Sequence, residues 1–308
     1  MGRYVIRRLL QLVPVFFGTT FLIYYLVWAV PGDPFAGKCG ERRCPDSYIQ
    51  FMTDKFKLDQ PVWVQYFAYM KNLFQGDFGQ TYGGRSINEL IGAAYPNTAK
   101  LAIVALIIEA VIGLSAGVLT GLKRNGFLDN LVLVSTLFLI AIPTFVTGFV
   151  LQYLLGVQWG IIKPTVSNPP TFAELIVPGF VLGAGSMAYI ARLARTSIAE
   201  NRRSDYVRTA IAKGLPMRRV VGVHLLRNSL IPVVTFLGTD LGALMGGAIV
   251  TEGIFGINGI GREVYRAIVT KEGATVVSIV VILVIIYLLM NLVVDLLYAA
   301  LDPRIRYE

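Results

Sequence analysis

Six apolar stretches, 9–30, 101–122, 131–157, 172–191, 230–250 and 274–300, decide what this chain can become. A hydrocarbon layer about 30 Å thick is crossed by about 20 helical residues. Backbone amides inside that layer find no water, so each stretch must close its hydrogen bonds internally as helix. The fold class expected is therefore an all-α integral membrane protein with six transmembrane helices. Composition agrees, because 55% hydrophobic and 15% charged residues, with mean hydropathy +0.63, leave too few charges to coat a soluble surface. The formal charge of +9 would suit a nucleic-acid partner if the basic residues gathered on a polar domain. Here they are strung between apolar runs, which excludes that class.

Arg3, Arg7 and Arg8 precede the first run, which is longer than a signal-peptide core and has no small-x-small site before Pro31, so it reads as a retained anchor. Placing both termini inside puts 16 of the 28 Lys and Arg on the inner side, against about 5 acidic residues there and about 11 outside. The inner excess of positive charge sets the orientation, N-in and C-in.

The longest polar segment is 31–97. From Asp59 and Pro61 to Gly76 it carries a helical pattern with Trp63, Tyr66, Phe67, Met70, Leu73 and Phe74 on one face, too polar to span. Cys39 and Cys44 are the two cysteines. Two thiols cannot supply a four-ligand zinc site, which leaves an external disulfide or two free thiols, and no metal site.

Within the runs, Gly113, Gly117 and Gly121 make a small-residue stripe suited to close helix contact, as do Gly238, Gly242 and Gly246. Pro143 interrupts the third run, and Pro178, Gly179, Gly183 and Gly185 predict bending in the fourth. Glu109 and Asp240 are acids at membrane depth, each either a structural partner of a neighbouring helix or part of a polar pathway. Asp240, Gly242, Gly246 and Glu252 are the candidates for a pathway or gate.

The segment 204–232 is polar, basic and patterned as two short helices. Ser204 can cap the first, Tyr206, Val207, Ala210 and Ile211 form its apolar stripe, and Gly214 supplies a left-handed stop. Pro216 opens the second, which carries Arg218 and Arg219. By composition alone this could be an amphipathic loop on anionic headgroups. Thr251 to Gly273 reads as a glycine-rich external loop, with Gly256, Gly259 and Gly261 as turn formers.

Two rival classes fail on the sequence. A secondary transporter would show internal repeats and a cluster of midplane ionisable residues. An enzyme would need a nucleophile with its base or a ligand set, but the single histidine, His224, has no HExxH or GxSxG around it, and no GxxxxGK[ST] phosphate loop occurs.

The 204–232 segment resembles the cytoplasmic coupling loop of ABC import permeases, with Ala210 and Gly214 at its Ala and Gly positions. Arg208, where Glu is usual, and Leu226-Arg227, where Leu-Pro is usual, resemble the dipeptide and oligopeptide branch. The likeness extends to Arg7-Arg8-Leu9, Pro14, Pro31-Gly32-Asp33-Pro34, Gly76-Asp77-Phe78-Gly79, Pro96-Asn97-Thr98, Thr251-Glu252-Gly253-Ile254-Phe255, Gly259-Ile260-Gly261-Arg262, Asn291 through Asp295, and Asp302-Pro303-Arg304. Nearly the whole chain thus resembles the B-type permease subunit of a dipeptide or oligopeptide ABC importer. The 39–44 stretch has no counterpart in that pattern.

The resemblance implies a type I importer permease fold, a five-helix core plus an N-terminal helix. It divides the chain into an N-terminal transmembrane helix (1–30), an extracytoplasmic segment with an amphipathic helix (31–97), a core (98–301) with a coupling loop at 195–229, and a cytoplasmic tail (302–308). It implies half of a translocation pathway for short peptides. The partners implied are a C-type permease, two ATPase subunits and an extracytoplasmic receptor, with ATP and Mg bound by the ATPases and no cofactor on this chain. Tyr206, Val207, Arg208, Ala210, Ile211, Gly214, Arg218 and Arg219 would meet an ATPase. Ile254, Phe255, Ile257, Gly259 and Gly261 would face the receptor, either entering it or forming a lid. Nickel, glutathione or another small solute stays open as cargo.

Overall fold

A computed structural model of the chain describes residues 2–28, 44–246 and 248–301. Cys39, the Pro31–Pro34 motif and the 302–308 tail lie outside them. The described residues are helical, with one antiparallel bridge between Gln80 and Ser86. The helices are α1 (Gly2–Trp28), α2 (Asp46–Phe56), α3 (Val62–Phe74), α4 (Ile87–Leu122), α5 (Phe127–Ala141), α6 (Thr144–Leu151) and α7 (Ile176–Asn201). They continue with α8 (Asp205–Ala212), α9 (Met217–Arg219), α10 (Leu226–Ser229), α11 (Ile231–Met245), α12 (Ile249–Phe255), α13 (Ile260–Val269) and α14 (Gly273–Leu301). Wider π-helical turns fill Gln152–Gln158 and Val220–Leu225.

Among the described residues, α1, α4, α7 and α14 are each long and apolar enough to cross a membrane, and six spans result if each of two bent pairs counts as one. The first pair bends by 99° between α5 and α6, where Pro143 stands before Thr144, and the second by 45° into α11. Proline removes a helix donor and clashes with the preceding turn, which fixes the first break.

Helix α4 starts well before the apolar run that announced it. Its 36 residues reach about 54 Å, so its first turns project beyond a membrane core. The expected glycine stripe packs it on α7: a Cβ on Gly113 would stand 2.8 Å from Ile190 Cγ2, on Gly117 2.5 Å from Ala194 Cβ, and on Gly121 2.9 Å from Ile198 Cβ. Only hydrogen at these positions lets the two backbones approach, and this is the most extensive helix contact in the chain.

Pro178 and the glycines expected to weaken α7 do not interrupt it. Pro178 lies in its first turn, where no helix donor is lost, and the helix runs unbroken to Asn201, well past Ala191. Gly179 and Gly183 serve contact instead, against Val104 and Glu109 of α4. In the second stripe, Gly238 meets Val294 and Gly242 meets Tyr287 of α14, whereas Gly246 ends α11 and touches only its own last turn.

The amphipathic helix of the external segment is α3, and its aromatic face divides. Tyr66, Met70 and Leu73 are buried against α1 and α14, and Tyr66 Oη lies 2.8 Å from Thr20 Oγ1. Trp63, Phe67 and Phe74 remain exposed, because a helix this close to two others can turn only part of its circumference inward. Cys44 is buried beside Met52 and is disulfide-bonded. In the turn before α7, Glu174 accepts hydrogen bonds from Ser167 Oγ at 2.6 Å, Thr171 N at 3.1 Å and Thr171 Oγ1 at 2.9 Å. These bonds, with Lys163 beside them, draw its carboxyl down to about 2.

Candidate functional site

Two constellations stand out, one at each end of the bundle. At one end, the two short helices expected of the basic segment are formed, and they pack through Val207, Ala210, Val220 and Leu225 on Ile198 of α7. Gly214 has φ +73°, the left-handed stop expected of it, with Gly214 N donating to Ile211 O at 2.9 Å and Leu215 N to Ala210 O at 3.3 Å. Glycine adopts this geometry without the strain a Cβ brings. Ser204 occupies the cap position of α8, but its hydroxyl makes no cap bond; the backbone carbonyl alone receives Val207 N and Arg208 N.

The four-residue stripe of α8 splits by face. Val207 and Ala210 are 2% and 5% exposed and join Ile198, Val220 and Leu225 in one apolar cluster. Tyr206 and Ile211 point outward at 37% and 49% exposure, and Met217 and Val223 extend that outward surface. Arg208, Arg218 and Arg219 are exposed with them, Arg208 pairing with Asp205 at 3.8 Å. The result is an apolar patch rimmed by cations on a short, firmly seated helix pair.

The seating is polar as well as apolar. Ser197 Oγ donates to Ser229 O at 2.8 Å in a buried bond between α7 and α10. Arg202 Nη1 donates to Leu122 O at 2.8 Å, and Arg195 grips Asp129 of α5 through Nε and Nη2. These bonds join α7 to α4, α5 and α10, and α10 runs directly into α11.

At the other end, the segment expected as a flexible glycine-rich loop is a folded pair of helices, α12 and α13. Phe255 and Ile257, expected to be exposed, are 1% and 0% exposed among Leu101, Val104, Leu175 and Val181. Ile254 is half-buried and a Cβ on Gly148 would lie 2.8 Å from its Cδ1. The apolar side chains pack inward against α4, α7 and Val166, where Val166 N donates to Phe255 O at 3.0 Å.

The joint of this hairpin is Glu252, fully buried. Thr98 Oγ1 donates to Glu252 Oε1 at 2.6 Å, and Arg262 N donates to Oε2 at 2.9 Å. Thr98 Oγ1 also accepts from Ile260 N at 2.8 Å, and Asn97 Nδ2 donates to Asn258 O at 2.9 Å. Arg262 Nη1 closes the turn on Asn258 Oδ1 at 2.7 Å. The carboxylate therefore caps the N-terminus of α13, where helix amides and dipole favour an anion. Gly259 and Gly261 are required by this approach: a Cβ on the first would collide with the Glu252 carboxyl, and on the second would stand 2.8 Å from Ile249 N.

Two sequence motifs, 96–98 and 251–262, are thus one structural feature, a latch that joins α4 to the hairpin. A third, 76–79, is a turn clamped by Asn88, whose Oδ1 accepts from Phe78 N at 3.0 Å, and by Ser278, whose Oγ donates to Phe78 O at 2.7 Å from α14. Of the pathway candidates, Glu252 sits in the latch, Gly242 packs on α14, Gly246 closes α11, and Asp240 turns toward Glu109. The structure does not bring the four together. Thr98 as the partner of Glu252 and Asn97 as the partner of Asn258 were missed; their polarity within an apolar helix was the available signal.

Residues 111–307 match the family described as binding-protein-dependent transport system inner membrane component, and residues 1–111 match its N-terminal companion. The chain belongs to that family. Curated relatives match it end to end. A dipeptide transport system permease protein of Alkalihalophilus pseudofirmus is 35% identical, with all of both chains covered. Oligopeptide transport system permease proteins of Haemophilus influenzae and Salmonella typhimurium are each 34% identical over the same full extent. Among solved structures, a chain of the MetNI methionine ABC transporter in an inward-facing conformation superposes with a TM-score of 0.58 at 21% identity, covering 69% of this chain and 96% of that one. The family is one of membrane permease components, and the structural likeness shows that the fold is that of an ABC importer membrane chain.

Proposed function

We propose that this chain is one of two permease subunits of an ATP-driven importer of short peptides, the transmembrane half-pathway through which cargo passes after release from an external receptor. The observation that carries the reading is the full-length identity of about one residue in three with dipeptide and oligopeptide permeases. The exposed, cation-rimmed patch of α8 and α9 supports an ATPase contact at the inner face, and the lack of a phosphate-loop motif leaves ATP and Mg to the partner subunits. On this reading the 204–232 segment is cytoplasmic, both termini are inside, and the latch lies on the outer side. ATP-driven closure of the two ATPase subunits moves α8, and the bonds through Ser197, Arg195 and Arg202 carry that movement into the bundle.

The test is uptake by the reconstituted complex of both permeases, both ATPases and the receptor. Labelled di- to pentapeptides should accumulate only with ATP, and excess unlabelled peptide should compete. Accumulation of nickel or glutathione, unaffected by peptide, would overturn the cargo assignment.

A further inference from the structure

Glu109 is the polar side chain most at odds with its surroundings. It is 0% exposed on α4, and neither carboxyl oxygen has a hydrogen-bond donor. Helices α4 and α11 run antiparallel in a readable register. Ala105 and Leu106 pack with Leu244 and Met245, and further along Leu114 packs with Val233, Phe236 and Leu237. Between those two layers Glu109 meets Asp240, whose Oδ2 is also buried without a partner. The α7 side is closed by Gly183, where an added Cβ would stand 3.2 Å from Glu109 Oε2.

No cation faces this contact among the described residues. Lys100 on α4 and Arg192 on α7 are each about 14 Å away along their helices, at 1.5 Å per residue. On the far side of α11, α14 presents Tyr287, which abuts Gly242, and Asp295, which pairs with Arg8. Two carboxyl groups in contact in an apolar setting cannot both ionise, and a lone carboxylate without donors would be costly there. A proton on one carboxyl supplies a donor to the other.

We propose that Glu109 and Asp240 form one proton-binding site, in which the O–H of a protonated carboxyl donates to the neighbouring carboxyl oxygen across the α4–α11 contact. No covalent step is involved, and the proton comes from water. The bond ties α4 to the helix that continues directly from the 204–232 segment, and leaves the pair with no more than one negative charge inside the bundle.

The test uses the assembled complex in its membrane. Infrared difference spectra at neutral pH, complex minus the Glu109→Gln complex, should show a protonated-carboxyl C=O band that shifts in heavy water; Asp240→Asn should perturb the same band. Glu109→Gln should also keep ATP-driven uptake within about threefold, since an amide reproduces the shape and donor of the acid at the scale of one net hydrogen bond. Difference bands of ionised carboxylate alone, or uptake abolished by Glu109→Gln in an assembled complex, would mean that the pair holds no shared proton, and would overturn the proposal. Failure of both amide variants to assemble would equally overturn the proposal, because a protonated acid is the form an amide replaces best.

Discussion

Replacing Thr98 with valine keeps the shape of a side chain that is 1% exposed and removes both of its hydrogen bonds. The first is the donation to Glu252 Oε1 at 2.6 Å; the second is the acceptance from Ile260 N at 2.8 Å. Interhelical side-chain bonds in membrane proteins average about 0.6 kcal/mol, with a ceiling near 1.7. The orphaned amide is a separate loss, about 1–3 kcal/mol for a buried donor left unmade. Glu252 keeps its bond from Arg262 N, so the carboxylate is not stripped bare. Thr98→Val should therefore destabilise the outer end by about 2–4 kcal/mol, the orphaned amide contributing more than the broken bond. Thr98→Ser keeps both bonds and should cost about 1 kcal/mol, the scale of one lost methyl. The assay is denaturant unfolding of the purified complex in detergent, with hydrogen exchange at the Ile260 amide as the local reading. If valine costs no more than serine, and Ile260 exchanges no faster, the latch does not hold α13 to α4.

Two further substitutions test the packing and the turn. Gly117→Val should prevent α4 from seating on α7, since even a bare Cβ would lie 2.5 Å from Ala194 Cβ; the chain should be lost from membranes, measured by immunoblot, whereas Gly185→Ala, with nothing within 4 Å, should accumulate normally. Gly214→Val forces a β-branched residue to φ +73°, a cost on the order of 1–2 kcal/mol, and should lower transport-coupled ATP hydrolysis in complexes that still assemble and bind receptor.

Much of this architecture was legible in the sequence because the membrane imposes so few solutions. Apolar length gave the spans, the Gly113 stripe gave a close helix contact, and Gly214 gave its turn, since each follows from a local rule. What was not legible depended on partners distant in sequence. Thr251–Gly273 read as a loop because its glycines are turn formers in isolation; in the fold, Gly259 and Gly261 make room for Glu252 and Ile249, and Phe255 and Ile257 fill the bundle. The stripe of α8 looked uniform because periodicity marks an apolar face without saying what covers it. Only the position of Ile198 and Val220 shows that Val207 and Ala210 are occupied while Tyr206 and Ile211 are exposed. The use of Gly179 and Gly183 in α7 was not legible for a related reason, as glycine inside a helix serves either flexibility or close approach, and only a neighbour such as Glu109 decides which.

The central claim is that the outward patch of α8 and α9 meets an ATPase subunit while the inward residues of the same helices hold the bundle. A photo-activated cross-linking residue placed singly at Ile211, Met217 or Val207 of the assembled complex measures this directly. Cross-links to the ATPase are expected from Ile211 and Met217, and from Val207 only internal links or none. Equal capture of the ATPase from Val207, or no capture from Ile211 and Met217 while ATP-driven uptake persists, would contradict the account.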